Sequence, residues 1–168
     1  MLTWLFVLAV ALHNLEEALR LPAWSQSPGG WRYAVGAREF RFAVIVLTAA
    51  AAAAALAANL GGKASAGAYV VCAYALAMLL NVFFPHVLVS LVLREFSPGT
   101  LTALFLNLPA CALLLEHALR GQYVEAPTFL WVGPLGVLAV AGSIPLLFAI
   151  GRRLPRAAGG GLDTPTAR

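Results

Sequence analysis

His13, Glu16 and Glu17 stand within a five-residue run, His13-Asn14-Leu15-Glu16-Glu17, inside an N-terminal stretch that is otherwise mostly apolar. On an α-helix the i,i+3 and i,i+4 spacings bring all three ionisable side chains to roughly one face, with Asn14 to one side. An imidazole and a carboxylate one turn apart can act as acid–base partners, the carboxylate fixing the imidazole tautomer. The same pairing can hold a metal, as Glu-x-x-His pairs do in di-iron bundles. Two adjacent carboxylates in a low dielectric resist ionising together, and Arg20, within a turn of both, offsets their repulsion.

The elements that must position these groups are membrane helices. The 168 residues are 61% hydrophobic and 11% charged, against about 25% charged residues in soluble domains. The mean hydropathy of +0.85 agrees. In lipid every backbone group must be satisfied internally, which leaves helices or a closed barrel. Long Ala- and Leu-rich runs without alternation exclude the barrel and predict an all-α, polytopic transmembrane bundle. At that depth an ionisable side chain costs about 2.5–3.5 kcal/mol, so it turns to the bundle interior and marks function.

Five spans are expected: 2–21, closed by Pro22; 42–60, with the alanine run Ala49–Ala55; 68–93; 101–119; and 129–150. Met1–Leu12 has no positive leading segment and no small-residue cleavage pattern, so it reads as part of a retained first span. Ser25-Gln26-Ser27-Pro28-Gly29-Gly30 is a turn by composition, and 31–41, mixing aromatic and basic residues, is expected along the membrane surface. Residues 1–151 form one helical domain, and the glycine-rich 152–168 is expected to be a disordered cytosolic tail. Cys72 and Cys111, in apolar segments, serve as small hydrophobes.

Of the 11 Lys and Arg residues, only Lys63 and Arg120 fall on one side of a five-span arrangement, and the other nine share the opposite side. The positive-inside rule then puts the N-terminus outside and the C-terminus in the cytosol. The same bias accounts for the net charge of +4 without nucleic acid, since no basic cluster interleaved with aromatics lies outside the spans.

With this orientation His86 in the third span and the turn Phe96-Ser97-Pro98-Gly99-Thr100-Leu101-Thr102 fall at the same cytosolic depth as His13, Glu16 and Glu17. His13, Glu16, Glu17 and His86 are therefore the candidate catalytic residues and the candidate metal ligands. Pro85 breaks the helix ladder just before His86. Thr100 or Thr102 is expected to cap the fourth helix, whose N-terminus can also hold an anionic headgroup. Asn14, Asn81, Pro98, Gly99 and Thr102 are the candidate substrate contacts. For Asn81 and Asn107 the alternative is an interhelical hydrogen bond worth about 0.6–2 kcal/mol. For Glu16 and Glu17 it is pairing with Arg20 at the headgroup level. Glu116 and His117 lie beside Arg120 at the other surface, outside the site.

His13-Asn14-Leu15-Glu16-Glu17, the later His86, and Phe96-Ser97-Pro98-Gly99-Thr100-Leu101-Thr102 together resemble the HXXEE family of small bacterial integral membrane proteins. That family carries a His-x-x-Glu-Glu motif, a further histidine and a Tyr-x-Pro-Gly-x-x-Thr motif. Phe96 stands where the family has tyrosine, so no phenolic hydroxyl is required here. The resemblance implies a multi-pass protein of the inner (plasma) membrane and carries no established activity. CAAX-type intramembrane proteases fit less well: Arg20 comes one residue early for their Glu-Glu-x-x-x-Arg pattern, and Val82 replaces the phenylalanine before His86.

Three functions follow from these residues. One is an enzyme acting on a lipid-like or other hydrophobic small molecule drawn from the bilayer. It would use a divalent metal (Zn, Fe or Mn) and an activated water, or metal-free acid–base chemistry by glutamic acid and histidine. Another is a proton- or ion-coupled transporter or relay, since intramembrane Glu and His also mark ion paths. The last is a non-catalytic assembly partner in which polar groups only join helices.

Overall fold

The computed structural model describes residues 2–27 and 34–154. Pro28-Gly29-Gly30 of the expected turn, residues 31–33 and the tail from 155 lie outside the described residues. Five helices, each long and apolar enough to cross a membrane, make up the fold: α1 (Leu2–Ser25), α2 (Ala37–Gly61), α3 (Ala66–Leu93), α4 (Thr100–Arg120) and α5 (Ala126–Arg153). No strand occurs among the described residues.

The helices run beyond the expected apolar limits. Pro22 lies inside α1, which continues to Ser25. Residues 37–41 are the first turns of α2 and not a surface segment. Both differences have one cause: Arg20, Arg38 and Arg41 end an apolar run without ending a helix, because long basic side chains reach outward from the last turns.

α1, α2, α3 and α4 close into a four-helix ring, and α5 packs outside it across the α2–α3 seam. Small residues permit close approach, as membrane helices require in the absence of a hydrophobic drive between them. Ala51, Ala54, Ala55 and Ala58 of α2 are buried against Phe6, Val10, Tyr74 and Met78. At Gly136 of α5 a Cβ would collide with that of Ala73 of α3, so glycine sets their separation. Cys72 and Cys111 are buried and free.

Two sets of contacts tie the helix ends together. At one end Arg38 donates to the carbonyls of Arg152 and Leu154, and Arg41 to that of Ala18, joining α1, α2 and α5. The indole of Trp24 donates to Glu95 at the same end. At the other, Tyr69 Oη accepts from the Glu125 amide, and the Ala64 amide donates to the Tyr123 carbonyl. Arg120 and Glu116 form an exposed ion pair there.

Candidate functional site

α1 supplies two groups from one face. His13 is fully buried, and Glu17 follows one turn later with its side chain only 14% exposed. α3 delivers the third through a defect. Pro85 has no amide hydrogen and crowds the preceding turn, and the helix kinks within Val82–Val87, at a turn in which Phe84 leaves helical geometry (φ −133°, ψ 107°). His86 emerges from that turn pointing inward, 3% exposed.

The tight turn before α4 closes over these side chains. Gly99 has φ +87°, a conformation suited to glycine. A Cβ on it would lie 2.8 Å from Glu17 Cγ, 2.8 Å from His86 Cε1 and 3.0 Å from His13 Cε1. Only a residue without a side chain can roof the three groups so closely.

His13 Nε2 lies 3.6 Å from Glu17 Oε2, and His86 Nε2 lies 3.4 Å from Glu17 Oε1. The two imidazoles meet edge to face. One donor atom from each of His13, Glu17 and His86 falls within a 4.8 Å group, a set that could hold a metal ion. His86 Nε2 is buried and makes no hydrogen bond among the described residues.

Glu16 is not in that group. Its Oε2 accepts from Thr102 Oγ1 at 2.7 Å, and its Oε1 accepts from Arg20 at 3.2 Å. Thr102 Oγ1 also lies 3.1 Å from His13 Nδ1 and 3.1 Å from the Gly99 carbonyl. Asn81 places its amide nitrogen 3.4 Å from His13 Nε2. Asn14 turns away, donating to Thr48 Oγ1 at 2.8 Å and reaching the Val44 carbonyl at 3.4 Å, so it ties α1 to α2. Pro98 is buried in the roof turn.

Neither Thr100 nor Thr102 caps α4, whose N-cap is Gly99 with no side-chain bond. Thr100 instead joins Ser90 and Ser97 in a hydroxyl cluster that braces the roof turn against α3. Asn107, in a widened turn at Ala103–Asn107, is fully buried and makes no side-chain hydrogen bond among the described residues. Thr48 and Ser90 were not expected at or beside the site, since isolated hydroxyls in apolar helices carry no spacing signal.

His13 and Glu17 also line one end of a cavity of about 480 Å³ between α1, α2, α3 and α5. Its remaining wall is largely apolar, with Phe40, Tyr74, Met78, Phe84 and Phe148 prominent. That volume is in the range of small-molecule sites.

The family described as "Protein of unknown function with HXXEE motif" matches residues 4–114 of the chain. The protein described as "Uncharacterized protein YrkK" of Bacillus subtilis (strain 168) is 33% identical over 150 residues, which is 89% of this chain and 94% of that one. No solved structure matches the chain.

Proposed function

The chain belongs to the HXXEE family, and on that premise we propose that it is a membrane-embedded enzyme in which His13, Glu17 and His86 hold a divalent metal and the substrate is a hydrophobic molecule from the lipid phase. The carrying observation is the meeting of two imidazole nitrogens and a carboxylate in a buried space, with His86 Nε2 beside Glu17 but making no hydrogen bond among the described residues. Buried polar atoms are almost always paired, and a cation would satisfy this one. The separations of 3.4 and 3.6 Å to Glu17 match neighbouring ligands on a tetrahedral ion, which stand about 3.4 Å apart when bonds are about 2.1 Å.

Two histidines and a carboxylate, with a position left open, form a ligand set found at catalytic zinc and non-haem iron. A divalent ion bound there would supply Lewis acidity and an activated water. Around it, the chain's own groups bind and shield. The apolar cavity receives the hydrophobic body of the substrate, and the Gly99 turn keeps solvent from the reacting end. The side of the bundle bearing the site faces the cytosol in this reading, by the bias of nine basic residues among 11 toward it. Transport is less well supported, because the polar groups gather at one depth while the cavity beside them is apolar.

Metal content decides the proposal. Protein purified in detergent should hold near-stoichiometric Zn, Fe or Mn, and the His13→Ala, His86→Ala double variant should hold none. Folded wild-type protein that stays metal-free after exposure to all three ions overturns the metal assignment. Proteoliposome ion flux dependent on Glu17 would favour transport instead.

A further inference from the structure

The two neighbouring carboxylates of the motif stand in different places, and we infer that they have different tasks: Glu16, acting through the Thr102 hydroxyl, holds His13 as its Nδ1–H tautomer and so turns the Nε2 lone pair toward Glu17 and His86. Glu16 and Thr102 are positioning residues, and Glu17 alone of the two carboxylates faces the site.

The assignment follows from counting hydrogens. A threonine hydroxyl has one hydrogen to donate and lone pairs to accept with. Thr102 Oγ1 stands 2.7 Å from Glu16 Oε2, a length typical of an O–H donor on a carboxylate. The hydroxyl proton therefore points to Glu16 (the Gly99 carbonyl at 3.1 Å is the other acceptor in reach) and is not available to His13. The remaining contact, 3.1 Å between Thr102 Oγ1 and His13 Nδ1, is a hydrogen bond only if Nδ1 carries the hydrogen.

The far side of the ring gives the same answer independently. The Asn81 amide nitrogen, which can only donate, stands 3.4 Å from His13 Nε2, a contact that is a hydrogen bond only if Nε2 accepts. One tautomer satisfies both contacts of the imidazole, and the lone pair it leaves faces the Glu17–His86 pair. Metal-binding histidines are commonly fixed in this way by an outer hydrogen bond from the second ring nitrogen. Here that bond is relayed from a carboxylate by a hydroxyl on another helix. The gain in metal affinity rests on the metal assignment above; the tautomer does not.

Three histidines make the test tractable. Metal-stripped protein labelled with 15N in histidine is examined in detergent by NMR correlations that separate Nδ1–H from Nε2–H rings, with His13 identified by its loss in His13→Gln. Wild type and Thr102→Ser should show His13 as Nδ1–H, and Thr102→Val should lose that single form. Zinc affinity should fall about 10–100-fold in Thr102→Val and stay near wild type in Thr102→Ser. An Nε2–H ring at His13 in the wild type, or an unchanged ring in Thr102→Val, overturns the inference. Wild type with the Nδ1–H ring but no zinc binding supports the tautomer and overturns the metal assignment alone.

Discussion

His13 of α1 and His86 of α3 meet edge to face, with ring centroids 4.8 Å apart and planes at 88°. Two rings in that arrangement attract each other whether or not they carry nitrogen, by about 0.5–1.5 kcal/mol. The contact therefore serves packing as well as chemistry, and the two can be separated.

His86→Phe separates them. The variant keeps an aromatic edge against His13 and removes one nitrogen donor. Thermal stability in detergent should stay close to wild type while bound metal falls below a tenth of the wild-type content. Loss of both together would mean that His86 acts through the fold.

Gly99→Ala probes the roof of the site. A left-handed backbone costs a residue with a Cβ about 1–2 kcal/mol, and the new methyl would press on Glu17, His86 and His13. Both stability and metal affinity should drop, and Gly99→Val should be worse. An alanine variant with wild-type zinc affinity by calorimetric titration would show that the turn yields freely.

Asn14 and Thr48 should be coupled. Their hydrogen bond of 2.8 Å joins α1 to α2, and such bonds between membrane helices average about 0.6 kcal/mol and reach about 1.7. A double-mutant cycle with Asn14→Leu and Thr48→Val, read by unfolding in detergent, should return a coupling in that range with metal content unchanged. Zero coupling would make Asn14 available to a substrate in the cavity it lines.

Orientation can be read in cells. With the C-terminus in the cytosol, a fluorescent protein fused there should glow and an alkaline phosphatase fused there should stay inactive. The reverse pattern would put the site on the outer side and invert the proposed route of substrate entry.

The spacing of His13, Glu16 and Glu17 brought an imidazole and two carboxylates to one region of α1, and the five apolar runs brought His86 and the Gly99 turn to the same end. Which carboxylate would face inward was not legible. Adjacent helical residues differ by about 100° around the axis, and the choice is made by α3 and α4, which lie far away in sequence: Glu17 meets His86, and Glu16 meets Thr102. Thr102 was singled out as a substrate contact, yet its hydroxyl is engaged by Glu16, Gly99 and His13, because a lone threonine gives no sign of its partner. The aromatic wall of the cavity was hidden for the same reason. Phe40, Phe84 and Phe148 come from three helices, and only the placement of α5 outside the four-helix ring lets them share one space.

The kink at Val82–Val87 has a consequence for how α3 tolerates change. At Phe84 the backbone leaves helical geometry altogether (φ −133°, ψ 107°), so the direction and phase of the segment that follows are set by this break and not by continuation of the helix before it. Removing a residue here would change both, and with them the placement of the His86 ring against Glu17. Insertions and deletions in this stretch would re-aim the second half of α3, so its length matters as much as residue identity.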